Sequence, residues 1–165
     1  MKNPTFEDLE MKTYWDTFET PYQMGKQKHR LYLLDLLKEY GVTGILDVGC
    51  GTGPIYGIIK EDRYPFFYRG TDYSPAMIKI AKEQFPEASW EVVDARKMVE
   101  PDGSWDCVLM LHSLDHLDDY GAAIKEAARV AKRYVCIVLW RSFVNGPDNN
   151  LNDKNMFGKH EGEDA

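Results

Sequence analysis

Cysteine is scarce in this chain of 165 residues: Cys50, Cys107 and Cys136 are the only three. An odd number at such spacings builds neither a disulfide framework nor a metal-ligand cluster, so they read as buried reduced thiols and no metal site is expected. Long hydrophobic runs are missing too. None approaches the roughly 20 residues that span a bilayer, and the amino-terminal MKNPTFEDLEMK has no apolar segment of the kind that directs secretion. The expected location is the cytoplasm, with no membrane partner. Positive charge is in deficit, with 20 Lys and Arg against 27 Asp and Glu and a net charge of −7. That field repels a polyanion, so nucleic acid is not the expected partner. Two basic groups, Lys26, Lys28, His29 and Arg30, and Lys125, Arg129, Lys132 and Arg133, fall at helical spacing and read as solvated helix faces.

What is present is an ordinary globular composition, 44% hydrophobic and 28% charged, at a length that suits one domain. Residues 1–22 mix acids with aromatics and show weak periodicity, which predicts an arm or lid. Residues 23–140 form the domain proper. A helix is expected over 23–40, with Leu33, Leu36, Leu37 and Tyr40 on its inner face and Gly41 as the stop. Ile45, Leu46 and Val48 make a short strand, followed by a glycine cluster and a helix over 54–61. The unit recurs with a strand over 66–71 and a helix over 75–84, where Ser74 can cap and Pro75 takes the favoured first helical position. Strands over 89–93, 105–111 and 134–140 follow, the last two separated by a helix with Tyr120, Ile124, Ala127, Ala128 and Ala131 inward. Continuous apolar strands alternating with amphipathic helices predict an α/β fold with a mostly parallel sheet covered on both faces. Ligands of such sheets bind outside the carboxyl ends of the strands.

The central signal is Ile45-Leu46-Asp47-Val48-Gly49-Cys50-Gly51-Thr52-Gly53, a strand running into alternating glycines and then a helix. Missing side chains admit a ligand to the backbone and allow positive φ in the turn. A tight turn without a ligand is the plain alternative, but three glycines and a carboxylate within seven positions favour a ligand. A dinucleotide site needs Gly-x-Gly-x-x-Gly, and the sixth position is Pro54 counted from Gly49 and Tyr56 counted from Gly51. The spacing is Gly-x-Gly-x-Gly. In this, and in Asp72 after the second strand and Asp94-Ala95 after the third, the chain resembles the class I, Rossmann-like S-adenosylmethionine-dependent methyltransferases.

The resemblance spans about residues 23–140 and implies a three-layer sandwich of about five strands in the order 3-2-1-4-5. It implies S-adenosylmethionine as cofactor, with Asp47 and the Gly49 carbonyl toward its ammonium, Gly51 and Gly53 in the loop beneath it, and Asp72 accepting from both ribose hydroxyls. Asp94 and the Ala95 amide would meet the adenine, and Leu111 falls in the segment flanking the methionine part. Tyr73 and Met77 suit a flat base as neighbours; Met77 fits core packing equally. Arg30 or a residue of 22–26 would approach the carboxylate, against a surface role for each.

The methyl acceptor is less legible. Transfer from a sulfonium is an in-line displacement that positioning alone can drive, with a base only where the acceptor loses a proton. His112 and His116 are the candidate bases, against a packing role for at least one of them. The Asn/Asp-Pro-Pro-Tyr/Phe tetrad of nucleic-acid methyltransferases is absent, and Leu111-His112-Ser113-Leu114 stands near its place. A small-molecule acceptor is therefore expected. After Trp140 a polar tail, residues 141–165, replaces the helix and antiparallel strand pair that complete the family's sheet. This predicts a C-terminally truncated sheet whose last edge drives homo-oligomerisation, and leaves two readings: an active methyltransferase, or a cofactor-binding or partner-binding module that does not catalyse.

Overall fold

The computed structural model describes residues 28–117 and 120–139, the side chain of His116 excepted. The expected arm over 1–22 and tail over 141–165 lie outside the described residues, as would any antiparallel pair formed by the tail.

The described chain alternates helix and strand: α1 (Lys28–Glu39), β1 (Gly44–Val48), α2 (Pro54–Glu61), β2 (Phe67–Asp72), α3 (Pro75–Gln84), β3 (Ser89–Val92), β4 (Trp105–Leu111), a single 3-10 turn (Leu114–His116), α4 (Tyr120–Val130) and β5 (Ala131–Val138). The five strands form one sheet in the order β3-β2-β1-β4-β5, and every pairing is parallel. This is the parallel α/β sheet that the sequence pattern predicts, in the Rossmann-like strand order that the resemblance implies. The period of two along each strand divides the core. Ile45, Cys107, Leu109 and Leu111 face Leu34 and Leu37 of α1, Ile58 of α2 and Ile78 of α3. Leu46, Val48, Val108 and Met110 face Ala123, Ala127 and Val130 of α4.

Local chemistry sets the boundaries that matter for the site. Pro54 follows Gly53 and opens α2. Ser74 caps α3, its hydroxyl accepting from the Met77 amide at 3.4 Å, with Pro75 next in line.

Three expectations are corrected. The inner stripe of α1 is Arg30, Leu34 and Leu37; Tyr40 lies past the last helical residue and is exposed. The stripe of α4 is Ala123, Ala127 and Val130, so Tyr120 and Ala128 face outward, and Ala131 already belongs to β5, opposite Trp105. The second basic group is not one helix face. Lys132 and Arg133 lie on β5, where the Arg133 guanidinium donates to the carbonyls of Tyr40 and Gly41 just past α1. Arg129 instead binds Glu126, Asp102 and the carbonyls of Met98 and Glu100, tying the connection after β3 onto α4. Of the cysteines, Cys50 and Cys107 are buried, whereas Cys136 is half-buried with its sulfur 3.8 Å from that of Cys107.

Candidate functional site

At the carboxyl edge of the sheet, β1 ends in the glycine loop and β2 ends in Asp72. Gly49, Gly51 and Gly53 all adopt positive φ, at 78°, 56° and 88°. They are not equivalent. A Cβ on Gly49 would stand 2.3 Å from the Cβ of Ser113, so this glycine lets the loop pass the chain leaving β4. A Cβ on Gly51 would meet nothing within 4 Å. Gly51 is the point where the loop backbone faces open space.

Asp72 is buried, and backbone amides fix its carboxylate: Oδ1 accepts from Ser74 N–H at 2.9 Å and Oδ2 from Gly51 N–H at 2.9 Å. The carboxylate therefore ties the glycine loop to the start of α3, and it retains acceptor capacity, since an ionised carboxylate has about four acceptor positions. Burial raises its pKa, and the amides of Ser74, Gly51 and Tyr73 pull it back.

Asp47 lies one strand away, wholly buried, with Oδ2 accepting the Tyr68 hydroxyl proton at 2.7 Å. Burial pushes its pKa up to about 6 against the Tyr68 hydrogen bond and the Arg30 charge, and the Asp72 charge pushes the same way as burial. Burial likewise lowers the pKa of Arg30 and lifts that of Tyr68. Arg30 is 7% exposed, so it has no surface role; it belongs to a buried cluster with Asp47 and Tyr68. Residues 22–26, its sequence alternatives, lie outside the described residues.

The remaining sequence candidates divide. Tyr73 is 40% exposed beside Asp72, whereas Met77 is buried. Leu111 is buried in the core cluster on the α1 side. The Asp94 carboxylate is clasped by Arg96, whose Nε and terminal nitrogen donate to it at 2.8–3.2 Å. That pair holds the Asp94 pKa below the usual range. Ala95 packs against the α4 side of the core. His112 follows β4 at φ 58°, and its amide donates to the Val138 carbonyl at 2.7 Å. Its Nε2 lies 3.2 Å from Nε2 of His29, the rings edge-on with centroids 5.2 Å apart. The His116 backbone closes the 3-10 turn; its side chain lies outside the described residues.

Sequence reasoning missed one residue of this site, His29, which carried no signal because its partner lies 83 positions away. Arg30 was among the sequence candidates, and its burial had a signal, since it falls four before Leu34 and seven before Leu37 on the buried stripe.

Residues 46–138 match a family model described as a methyltransferase domain. Ajmaline N-methyltransferase of Rauvolfia serpentina is 35% identical over 101 residues, covering 58% of this chain and 34% of that protein. The 2-methyl-6-phytyl-1,4-hydroquinone methyltransferase of Synechocystis is 39% identical over 93 residues, 54% of this chain and 29% of that one. The chain thus matches about a third of the length of these relatives. Among solved structures, the 4+2 cyclase SpnF is 30% identical with a TM-score of 0.54, covering 61% of this chain and 40% of that one.

Proposed function

The chain belongs to the methyltransferase domain family, and from that membership we propose that it binds S-adenosylmethionine at the carboxyl edge of the sheet and methylates a small-molecule acceptor. The observation that carries this reading is the placement of two buried carboxylates, Asp47 and Asp72, on adjacent strands beside the open backbone of Gly51. Among the described residues, one buried cation, Arg30, stands against them. A ligand bringing positive charge and hydroxyl donors balances that set.

Asp72 would accept from the ribose and Gly51 would admit the ligand to the loop. Asp47 and the Gly49 carbonyl would face the ammonium, and Arg30, held beside Asp47, would serve the carboxylate. Gly53 closes the loop onto α2. Tyr73, Met77, Asp94, Ala95 and Leu111 complete the proposed binding set. When bound, S-adenosylmethionine supplies an electrophilic methyl group on a sulfonium.

The acceptor class, an amine or a hydroquinone-like ring, follows the names of the two relatives. The histidine at position 112 supplies or supports the base such an acceptor needs, with His116 as the second candidate. A domain over residues 23–140, a cytoplasmic setting and self-association through β5 belong to the same reading; no helix among the described residues is long and apolar enough to cross a membrane.

Because a 30% identical neighbour is named a cyclase, binding and transfer are tested apart. Calorimetry should find S-adenosylhomocysteine bound and NADH not bound; the reverse result overturns the cofactor. Turnover of labelled donor against amines, phenols and carboxylates then separates a working transferase from a module that only binds.

A further inference from the structure

The histidine pair beside the glycine loop divides its labour in a way that the position of His112 alone does not reveal. His112 directly precedes Ser113, the residue packed against Gly49, so the pair stands at the lip of the proposed donor site. At 3.2 Å between the two Nε2 atoms, one proton lies between the rings, donated by one and accepted by the other. The environments of the rings differ. Nδ1 of His112 is buried, whereas His29 is exposed at the start of α1. A ring with one nitrogen buried and the other committed to a neighbour is poorly placed to meet a substrate proton. The exposed ring is the one a substrate can reach.

We propose that His29 is the base that takes the acceptor's proton, and that His112 is its positioning residue, accepting the Nε2–H of His29 at its own Nε2. This rests on the transferase reading above. The hydrogen bond fixes the His29 tautomer so that its Nδ1 carries the lone pair, in the manner of a base oriented by a third group. In the transfer, the acceptor's lone pair forms a bond to the methyl carbon as the methyl–sulfur bond breaks with its electron pair left on sulfur. The acceptor's proton passes to Nδ1 of His29, and the resulting imidazolium charge is shared with His112. Partial desolvation where the ring meets its neighbours, assisted by the adjacent Arg30 charge, lowers the His29 pKa and favours the neutral form a base requires. The positive φ of His112 is the local strain by which the ring is aimed back at α1.

The chain has four histidines, so long-range proton–nitrogen correlation on histidine-labelled protein can read each tautomer, with His29→Gln and His112→Asn assigning the signals. The expected pattern is Nε2–H on His29 and Nδ1–H on His112; the opposite pattern overturns the proposal. In kinetics with a 1,4-hydroquinone and a secondary amine as probes, His29→Ala should lower kcat by ~10² or more while S-adenosylhomocysteine affinity stays within about twofold. His112→Gln, whose amide oxygen can accept from His29, should retain far more rate than His112→Leu, although both carry the same backbone strain. A His29→Ala enzyme as fast as an active wild type, or equal rates for the two His112 variants, overturns the assignment alone. A wild type that binds S-adenosylhomocysteine yet methylates neither probe overturns the transferase reading together with it.

Discussion

At Asp72 the carboxylate is held by the amides of Ser74 and Gly51 before any ligand arrives, so little ordering is left for a ribose to induce. Each hydrogen bond from a hydroxyl to this charge is worth on the order of 1.5 to 3 kcal/mol. Asp72→Ala should therefore weaken S-adenosylhomocysteine binding at least tenfold by calorimetry, and unchanged affinity would remove the ribose assignment. Asp47 makes a different prediction. Its pKa is pushed up to about 6, so above the ordinary aspartate value near ~4 the folded chain keeps a proton that the unfolded chain has released. More protons in the folded state means that stability falls as pH rises, here across roughly 4 to 6. At ~1.4 kcal/mol per unit, the loss is on the order of 3 kcal/mol. Asp47→Asn lacks that slope, so urea unfolding at pH 4 and pH 7 should show the variant gaining on the wild type with rising pH. Parallel curves would contradict a buried, reluctantly ionised carboxylate.

Among the elements, the three loop glycines are one motif in the sequence but two devices in the structure. Gly49→Ala combines a left-handed φ, about 1 kcal/mol or more for an L-residue, with a collision against Ser113 Cβ, a short group that cannot swing away. Gly51→Ala has the φ cost alone and sets its methyl in open space. Thermal melts should fall further for Gly49→Ala, while the affinity for S-adenosylhomocysteine should suffer at Gly51→Ala even where its melt is close to wild type. Equal melts would mean that the approach of Ser113 is relaxed in solution. The elements that sequence reading bounded correctly, α2, α3 and β4, carry explicit punctuation such as Gly53-Pro54 and Ser74-Pro75. The errors fall where punctuation is missing. Val130 passes into Ala131 without a breaker, so the sequence ran α4 into the strand, and α1 opens its buried stripe with an arginine that pattern reading assigns to solvent.

Over the whole molecule, the described sheet ends on β5, which pairs with β4 on one side only among the described residues. Its side chains are at best half-buried, and Ile137 is 37% exposed. An apolar strand edge templates pairing with a second chain, and a charge there suppresses it. Light scattering over a concentration series should show the mass rising toward a dimer, and Ile137→Lys should return it toward the monomer. A chain that stays monomeric at every concentration would show that this edge is shielded.

The sequence by itself determined the α/β class and the loop with its two carboxylates, because periodicity, caps and breakers are local and act within a few tens of residues; the strand order came only through the resemblance to a family. Only the tertiary structure decided which side chains share a site. Arg30 meets Asp47 and Tyr68, His29 meets His112, and Cys107 comes within 3.8 Å of Cys136. Each pairing joins separate elements and depends on the rotation of a helix or the register of a strand, quantities set by packing in three dimensions that no linear spacing records.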